Sequence, residues 1–349
     1  MGAATDSPLM AELSGVRGEV RPVWFMRQAG RSLPEYRAIR EGYEMLEACL
    51  TPDVAAEITL QPVRRHGVDA AVFFSDIVVP LALAGIPVEI QAGVGPVLDS
   101  PIRSAKDLDR LNPLDPVALD PVKQAAAQVV AELGETPLIA FGGAPFTLAS
   151  YLIEGGPSRD LPHSRTLMKQ DPETWSAVLE WCAEITADFI AAQVHAGAAV
   201  LQVFDSWAGK LSAVDYRRWA KPYSAQLFAA LDTRLGDINP AVPRIHFGLG
   251  TGEILPDMYE VGATAIGVDH TLTLSEANQL LGGVVPLQGN IHVDQLQAPW
   301  PELRAHIDAV LESGQTAPGH VVNLSHGVPK DTDPDVLTRI VDYVHEVGR

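Results

Sequence analysis

The stretch Asp69-Ala70-Ala71-Val72-Phe73-Phe74-Ser75-Asp76 joins a continuous apolar run to a polar end. A run that is apolar at every position is typical of a parallel strand buried on both faces of its sheet. Further runs of this kind follow along the chain, with helical patterns between them. The predicted strands are Asp69–Phe74, Pro137–Gly142, Ala198–Phe204, Arg244–Phe247, Ala263–Val268, Val284–Gln288 and His320–Leu324.

The clearest predicted helix begins at Asp171-Pro172-Glu173, where a good capping residue precedes a proline at the first helical position. Its apolar residues recur at helical spacing, and Gly197 is a natural stop. Repeated strand–helix units of this kind give either a (β/α)₈ barrel or a doubly wound sheet. The fold class is therefore α/β.

Polar residues at the strand ends favour the barrel. The C-terminal strand ends of a barrel form a single rim, whereas a doubly wound sheet concentrates its ligand-binding residues at one switch point. We therefore expect a TIM-type barrel with an active-site cleft at the C-terminal ends of its strands, although the apolar runs do not identify the eighth strand. The polar strand ends are Ser75-Asp76, Asp205-Ser206, Asp269-His270, Asn290 and Ser325-His326.

One segment interrupts the alternation of strands and helices. Residues 87–91 and 96–98 flank Ala92-Gly93-Val94-Gly95, a pattern that predicts a β-hairpin inserted after the first barrel strand. The chain shows no repeats, low-complexity tracts or obvious linkers. We therefore expect a single domain over residues 1–349, with residues 1–20 as a helical or irregular lead-in.

The bulk composition excludes several classes of partner. The chain has 349 residues, a formal net charge of −19 and 47% hydrophobic residues. Such an acidic protein is not expected to bind nucleic acid or an anionic membrane surface. Because it repels acidic ligands at long range, a polyanionic ligand would have to be bound by local arginines.

Cys49 and Cys182 are the only cysteines of the chain. Two thiols without a CxxC pair point to a reducing compartment, and to neither a disulfide framework nor a cysteine zinc site. Residues 1–13 lack the basic and apolar pattern of a signal peptide, and no apolar stretch is long enough to span a membrane. These features predict a cytoplasmic protein.

Arg27 and Arg31 stand on either side of the small step Gln28-Ala29-Gly30. A guanidinium is a planar fork that pairs with a carboxylate at two points, and glycine allows backbone to approach a ligand closely. The pair therefore suggests a clamp for an acidic substrate. The alternative is that both arginines pair with surface carboxylates.

Asp76 ends an apolar strand and precedes Ile77-Val78-Val79. A carboxylate in such a poorly solvated place is useful where positive charge develops on a substrate. At an effective dielectric of about 20 and a separation of ~4 Å, a charge pair interacts by about 4 kcal/mol, roughly a thousandfold in rate if realised only in the transition state. The alternatives are a helix cap or a salt bridge to Arg27 or Arg31.

Six separated motifs resemble those of the uroporphyrinogen decarboxylase family, in the family's order along the chain. They are Pro22-Val23-Trp24-Phe25-Met26-Arg27-Gln28-Ala29-Gly30-Arg31 with Ser32-Leu33-Pro34-Glu35-Tyr36-Arg37; the strand ending at Asp76; Phe141-Gly142-Gly143-Ala144-Pro145-Phe146-Thr147-Leu148; Tyr151 with Glu154-Gly155-Gly156; Phe204-Asp205-Ser206-Trp207-Ala208-Gly209; and Asn323-Leu324-Ser325-His326-Gly327-Val328.

The resemblance implies decarboxylation of the four acetate side chains of uroporphyrinogen III to methyl groups. The products would be coproporphyrinogen III and CO₂, in haem synthesis, with no metal and no other cofactor. The resemblance also implies a homodimer and a tetrapyrrole as the small-molecule partner. The matching positions are Asp76, Arg27 and Arg31 for catalysis, and Arg27, Gln28, Arg31, Asp76, Phe146, Tyr151, Ser206 and His326 for substrate binding.

Each of these positions also has a plainer interpretation. Tyr151 fits an ordinary amphipathic helix, Ser206 fits a helix cap, and a histidine such as His326 after an apolar strand is often structural. The chain departs from the family pattern at Ser32, Ser325, Lys330 and His292, and the last two sit where they would tune the electrostatics of the rim.

Two other functions compete with this interpretation. A zinc-dependent corrinoid or thiol methyltransferase of the same superfamily would need a thiolate near His246-Phe247-Gly248, where this chain has glycine, and another where it has His326. An inactive tetrapyrrole-binding protein would keep the barrel as a scaffold. The presence of Arg27, Arg31, Asp76 and Tyr151 together speaks against the second alternative.

Overall fold

The computed structural model describes residues 6–348 and contains two sheets, one of seven strands and one of two. Residues 1–5, at the start of the predicted lead-in, and residue 349 lie outside the described residues. The strands are β1 Ala71–Val72, β2 Glu89–Gln91, β3 Gly95–Val97, β4 Leu138–Gly143, β5 Val200–Asp205, β6 Arg244–Gly248, β7 Ala265–Gly267, β8 Leu287–Gln288 and β9 His320–Val321.

The larger sheet is parallel throughout and follows chain order, β1-β4-β5-β6-β7-β8-β9. The order never reverses, as it would at the switch point of a doubly wound sheet. Nearly every residue of these strands is buried, which explains why their sequences are apolar without alternation. All seven strands predicted from the apolar runs are confirmed, and with them the α/β class.

A short segment before the first strand contacts both edges of this sheet. On one side, the Trp24 amide donates to the Val322 carbonyl at 3.2 Å, and the Val322 amide donates to Pro22 at 2.8 Å. On the other side, the Asp69 amide donates to the Val23 carbonyl at 2.9 Å. Residues 22–24 therefore lie between β9 and β1.

The helices occupy most of the chain between strands. The longest, α9, begins where the sequence predicts, because the Asp171 carboxylate accepts from the Thr174 amide at 3.1 Å and Pro172 is the first helical residue. Among residues 6–348, no helix is both long and apolar enough to cross a membrane. The helices are α1 Pro8–Leu13, α2 Pro34–Arg40, α3 Met45–Leu50, α4 Pro52–His66, α5 Val79–Leu83, α6 Asp120–Leu133, α7 Pro145–Glu154, α8 Pro162–Gln170, α9 Pro172–His195, α10 Ala213–Trp219, α11 Lys221–Leu235, α12 Leu255–Glu260, α13 Leu274–Leu280, α14 Trp300–Gly314 and α15 Pro334–Val347.

The smaller sheet consists of β2 and β3, which pair antiparallel, with Ile90 opposite Pro96. It follows α5 in the chain, and its outer residues are exposed. Gly93 in the connecting turn has φ 80°, a left-handed conformation that glycine adopts without steric cost.

A chain of three polar side chains links strands that are distant in sheet order. The Trp24 indole donates to the Gln288 amide oxygen at 3.0 Å, and the Gln288 nitrogen donates to the Gln202 oxygen at 2.9 Å. All three side chains are buried. Among the described residues, the Gln288 amide is therefore bonded at both of its polar atoms and the Gln202 amide at its oxygen only, and the segment 22–24, β8 and β5 are connected through their side chains.

The loops after β5 and β6 touch through their backbones. A Cβ at Gly209 would lie 2.1 Å from the Leu249 carbonyl oxygen, so only glycine fits this crossing. The Asp269 carboxylate accepts from the Gly250 amide at 2.6 Å and ties the loop to the end of β7. The glycine-rich stretch 248–252 thus serves loop packing.

Candidate active site

The C-terminal ends of the parallel strands bring the predicted site residues to one edge of the larger sheet. Asp76 follows β1, Tyr151 lies on the helix after β4, Ser206 follows β5 and His326 follows β9. Arg27 follows the segment 22–24, which lies between β9 and β1. The sheet order therefore places Arg27 between the ends that carry His326 and Asp76.

Arg27 has φ 62°, a left-handed backbone conformation that is uncommon for a residue with a side chain. Gln28 supports this turn, because its amide oxygen accepts from Phe25 at 2.9 Å and its nitrogen donates to the Ala70 carbonyl at 2.9 Å. The Gln28 side chain is fully buried, with both of its polar atoms bonded to backbone. In this arrangement it positions Arg27, and its contact with substrate stays a prediction.

The loop after β9 also shapes the position of Arg27. The Asn323 side chain accepts from the Met26 amide at 3.0 Å, and the Met26 carbonyl accepts from Val328 at 2.8 Å. A Cβ at Gly327 would lie 2.4 Å from Cδ of Arg27, so the arginine side chain runs across this glycine. Sequence reasoning missed both supporting roles, although Asn323 and Gly327 stand within a quoted motif.

Asp76 is half-buried at the end of β1, and one carboxylate oxygen accepts from the Val78 amide at 3.0 Å. Burial raises the pKa of Asp76, while the Val78 amide and the Arg27 guanidinium lower it. The carboxylate thus caps the turn before α5, as the structural alternative proposed. Its second oxygen makes no hydrogen bond to a described residue, so capping leaves it available to a ligand.

Tyr151 lies within electrostatic reach of both Asp76 and Arg27. Burial, and then the Asp76 carboxylate, raise the pKa of Tyr151 to about 12, while Arg27 lowers it. The hydroxyl therefore remains a hydrogen-bond donor at neutral pH. Its ring packs on Trp207, with centroids 4.2 Å apart and planes inclined by 32°.

Ser206 follows β5. The residues on either side of it, Asp205 and Trp207, both hydrogen-bond to the buried Thr147 hydroxyl. The Thr147 hydroxyl donates to Asp205 at 2.7 Å and accepts from the Trp207 amide at 3.3 Å. Burial raises the pKa of Asp205 to about 7, and its other oxygen lies 3.9 Å from Nε2 of His246. The segment that carries Ser206 is therefore anchored through both of its neighbours.

His326 is half-buried on the loop after β9. Its Nδ1 accepts from the Gly327 amide at 2.7 Å, so the neutral ring carries its hydrogen on Nε2. Burial, and then the Arg27 guanidinium, lower the pKa of His326. The imidazole therefore offers a neutral N–H donor next to the arginine.

Arg31 lies apart from these residues, on an open cavity of about 440 Å³ at the rim. The Arg31 carbonyl accepts from Arg37 at 2.7 Å, but among the described residues the guanidinium groups of Arg27 and Arg31 have no hydrogen-bond or ion-pair partner, so both keep their donors for a ligand. The cavity also holds Lys330, one of the departures from the family pattern. Its lining residues are Arg31, Tyr36, Arg37, Arg40, Glu41, Lys330 and Asp331.

Phe146 has no exposed surface and packs on Trp175, with ring centroids 6.1 Å apart. The aromatic residues at the strand ends are instead Phe141 of β4 and Phe204 of β5, whose rings meet edge to face at 5.5 Å. Phe204 is partly exposed and also contacts Phe247 of β6 at 6.1 Å. Sequence reasoning chose the phenylalanine on the helix, because strand and helix aromatics look alike within one apolar motif.

Electrostatic influence connects four of the predicted residues: Arg27, Asp76, Tyr151 and His326. Within residues 6–348, no three His, Cys, Asp or Glu side chains form a group that could hold a metal ion. His246, the ligand of the zinc alternative, is buried, with Nδ1 3.1 Å from the Met258 carbonyl.

Comparisons with known proteins agree with the motifs. A family model described as Uroporphyrinogen decarboxylase (URO-D) matches residues 4–347. A protein named uroporphyrinogen decarboxylase from Arthrobacter sp. (strain FB24) is 56% identical over 99% of both chains. Another of that name, from Leifsonia xyli subsp. xyli (strain CTCB07), is 54% identical over 99% of this chain and 95% of the relative. A solved methyltransferase from Methanosarcina mazei, 18% identical, shares the fold, with a TM-score of 0.80 over 98% of both chains.

Proposed function

We propose, from the premise that this chain belongs to the uroporphyrinogen decarboxylase family, that its cleft removes CO₂ from the four acetate side chains of uroporphyrinogen III. Each acetate becomes a methyl group, and the product is coproporphyrinogen III, a step of porphyrin and haem biosynthesis. One observation carries the proposal for the site. The Asp76 carboxylate ends an apolar strand within electrostatic reach of both Arg27 and Tyr151.

The chemistry needs an electron sink, and a protonated pyrrole supplies it. A proton adds to the ring carbon next to the one that bears the acetate, and the ring becomes a cation. The bond to the carboxylate then breaks, CO₂ leaves, and its electron pair neutralises the ring as an exocyclic methylene. The methylene takes up a proton and the ring carbon releases the first one, so each acetate consumes one proton overall.

Asp76 stabilises the cation in this scheme. Its fixed negative charge points to where positive charge develops, and the poorly solvated setting strengthens the interaction. The pyrrole N–H groups donate to its second oxygen. Burial raises the pKa of Asp76, and the Val78 amide and then the Arg27 guanidinium act against this effect and favour the ionised form.

The other predicted residues bind and orient the substrate. Arg27 and Arg31 pair with carboxylates of the macrocycle, because guanidinium–carboxylate pairs are directional and strong. The hydroxyl of Tyr151, Ser206 and Nε2 of His326 donate further hydrogen bonds that fix the reacting ring. The apolar wall was predicted at Phe146; we assign it instead to the contacting rings of Phe141, Phe204 and Phe247.

We infer that residues 22–24 act as the eighth strand of a closed (β/α)₈ barrel, and that the chain forms a single domain. Backbone hydrogen bonds on both sides of Val23 support this closure. The β2–β3 pair is the inserted hairpin, and the cleft lies at the C-terminal strand ends. Two copies form a homodimer, to be tested by sedimentation.

The deciding experiment is anaerobic turnover of chemically reduced uroporphyrinogen III with a chelator present. Products are oxidised and separated by porphyrin chromatography. We expect seven-, six-, five- and four-carboxylate products in succession, without an added cofactor. Turnover that is lost with chelator and restored by zinc would favour the metal-dependent alternative, and binding without any product would leave a tetrapyrrole-binding protein.

A further inference from the structure

Three imidazoles follow one another along the mouth of the cleft. His270, His292 and His326 come after β7, β8 and β9, which are adjacent in the sheet. The rings of His270 and His292 meet edge to face, with centroids 4.6 Å apart and planes inclined by 74°. His270 also contributes, after burial and Arg27, to lowering the pKa of His326. The row therefore continues from Arg27 away from Asp76.

Hydrogen bonds hold the three loops in place. The buried side chain of Asn290 donates to the carbonyls of Asp269 at 2.9 Å and Leu272 at 2.7 Å, on either side of His270. Ile291 pairs with the loop after β9, donating to Asn323 at 3.0 Å and accepting from Ser325 at 2.8 Å. These bonds fix His292 between the loops that carry His270 and His326.

The groups around His270 and His292 leave these two rings free to donate hydrogen bonds. Nδ1 of His292 accepts from the Asp294 amide at 3.2 Å, so the neutral ring carries its hydrogen on Nε2. Both oxygens of the Asp269 carboxylate are already occupied, one by Gly250 and the other by Thr271, and its charge raises the pKa of His326. The Asp294 carboxylate is a second nearby acid. It is largely exposed and lies 3.8 Å from Nδ1 of His292, the nitrogen that already accepts the Asp294 amide.

We propose that His270 and His292 form a second carboxylate-binding position, which holds an acidic side chain of the macrocycle beyond the reach of Arg27 and His326. The proposal rests on the proposed function. A substrate with eight carboxylates around its edge needs donors along the rim, and a chain with a net charge of −19 must supply them locally. His270 is exposed and His292 partly so, which leaves both rings accessible to a ligand.

The test compares His270→Asn, His292→Asn and the double variant with wild type. Asparagine at 292 keeps an acceptor for the Asp294 amide, so the local turn is preserved. His195→Asn is the matched control, because His195 is an exposed histidine at the end of α9, before the N-terminal end of β5. Two quantities are measured: KM and kcat for uroporphyrinogen III, and Kd for the oxidised eight-carboxylate porphyrin by fluorescence titration.

We expect the double variant to raise both KM and Kd about tenfold, with kcat changed less than about twofold, since a hydrogen bond to a charged group is worth that much. Unchanged KM and Kd in a wild-type-active background would overturn the inference. If wild type binds the porphyrin without turnover and the double variant loses affinity, the proposed function fails and the carboxylate position stands. If wild type does neither, both fail. His270→Asn alone, at an exposed residue, keeps the test valid if changes at 292 disturb folding.

Discussion

The two halves of the cleft mouth differ in their chemistry and in how their side chains are held. The basic half is formed by the turn after residues 22–24 and the ends of β7, β8 and β9, and the aromatic half by the ends of β4, β5 and β6 and the last turn of α7. The basic half carries Arg27, His270, His292 and His326, and the aromatic half carries Phe141, Tyr151, Phe204 and Trp207.

Hydrogen bonds hold the basic half, and ring packing holds the aromatic half. Asn323, Gln28 and Asn290 fix the backbone under the basic side chains. The aromatic half is built from edge-to-face and stacked pairs, anchored behind by Thr147. A macrocycle with an apolar centre and an acidic edge needs both surfaces. Asp76 lies where they meet.

The largest expected effect is at this meeting point. Asp76→Asn keeps the cap on the Val78 amide but removes the charge, so we expect kcat to fall roughly a thousandfold with little loss of binding. Anaerobic turnover and a porphyrin titration measure the two quantities. Asp115→Asn is the control, because Asp115 caps a turn in the same way, accepting from Val117 at 2.9 Å. Near wild-type turnover of Asp76→Asn would remove the electrostatic argument.

A methyl group at Gly327 is expected to disturb the basic half by displacing the side chain of Arg27. In Gly327→Ala the new Cβ displaces the Arg27 side chain, and we expect kcat/KM to fall about 10- to 100-fold, as for a misplaced binding group. Because a flexible side chain is what moves, the unfolding midpoint should change little. Gly42→Ala, where the nearest atom is at an ordinary 3.8 Å, controls for the substitution itself. A stability loss with unchanged kinetics would contradict this account of Gly327.

Removing the stacked indole breaks the aromatic half. Trp207→Leu deletes the partner of the Tyr151 ring, and we expect KM to rise about two- to tenfold, since an aromatic pair is worth ~0.5–1.5 kcal/mol beyond its area. The product pattern shows whether later decarboxylations suffer more. Trp181→Leu, on α9, is the matched control. Equal effects of the two substitutions would show that Trp207 acts through stability alone.

Asp205, the buried carboxylate that accepts from Thr147 behind the aromatic half, predicts a pH effect on stability. The pKa of Asp205 rises from 3.8 to about 7 on folding, so the folded state binds this proton more tightly. Its contribution to stability is therefore present below about pH 4 and is lost as the pH rises to about 7. Asp205→Asn removes this dependence. We expect its free energy of unfolding, relative to wild type, to be higher at pH 8 than at pH 5 by up to about 2.5 kcal/mol.

Urea unfolding at both pH values measures this difference. Burial lowers the pKa of His246 to about 4, which acts in the opposite direction, since its stability contribution is lost as the pH falls. His246 is present in both proteins, so to a first approximation its effect cancels in the comparison. A pH-independent difference would show that Asp205 is ionised in the folded protein throughout this range.

Some features of the molecule were readable from sequence because they depend on local pattern. The seven strands were predicted because residues buried on both faces form unbroken apolar runs, and α9 because Asp171-Pro172 is a local start signal. The segment 22–24 escaped detection as a strand because its pairing is non-local, with partners at Asp69 and Val322.

The site was readable in part for the same reason. Polar strand ends pointed to Asp76, Ser206 and His326, since strand direction alone brings them to one edge. The buried position of Phe146 depends on which face of α7 packs on Trp175. The pairing of His270 with His292 depends on how two loops are tied by Asn290, which no local spacing encodes.

The backbone crossing of Gly209 with Leu249 and Gly250 has a consequence for engineering. Two loops in such close contact behave as one module, because a longer or bulkier version of either meets the other's main chain. Chimeras that exchange residues 206–212 without 248–253 would join mismatched halves. Grafting this part of the cleft onto another scaffold of the same fold therefore requires transferring both loops together. Asp269 should be transferred with them, because its carboxylate binds the Gly250 amide and holds the second loop in place.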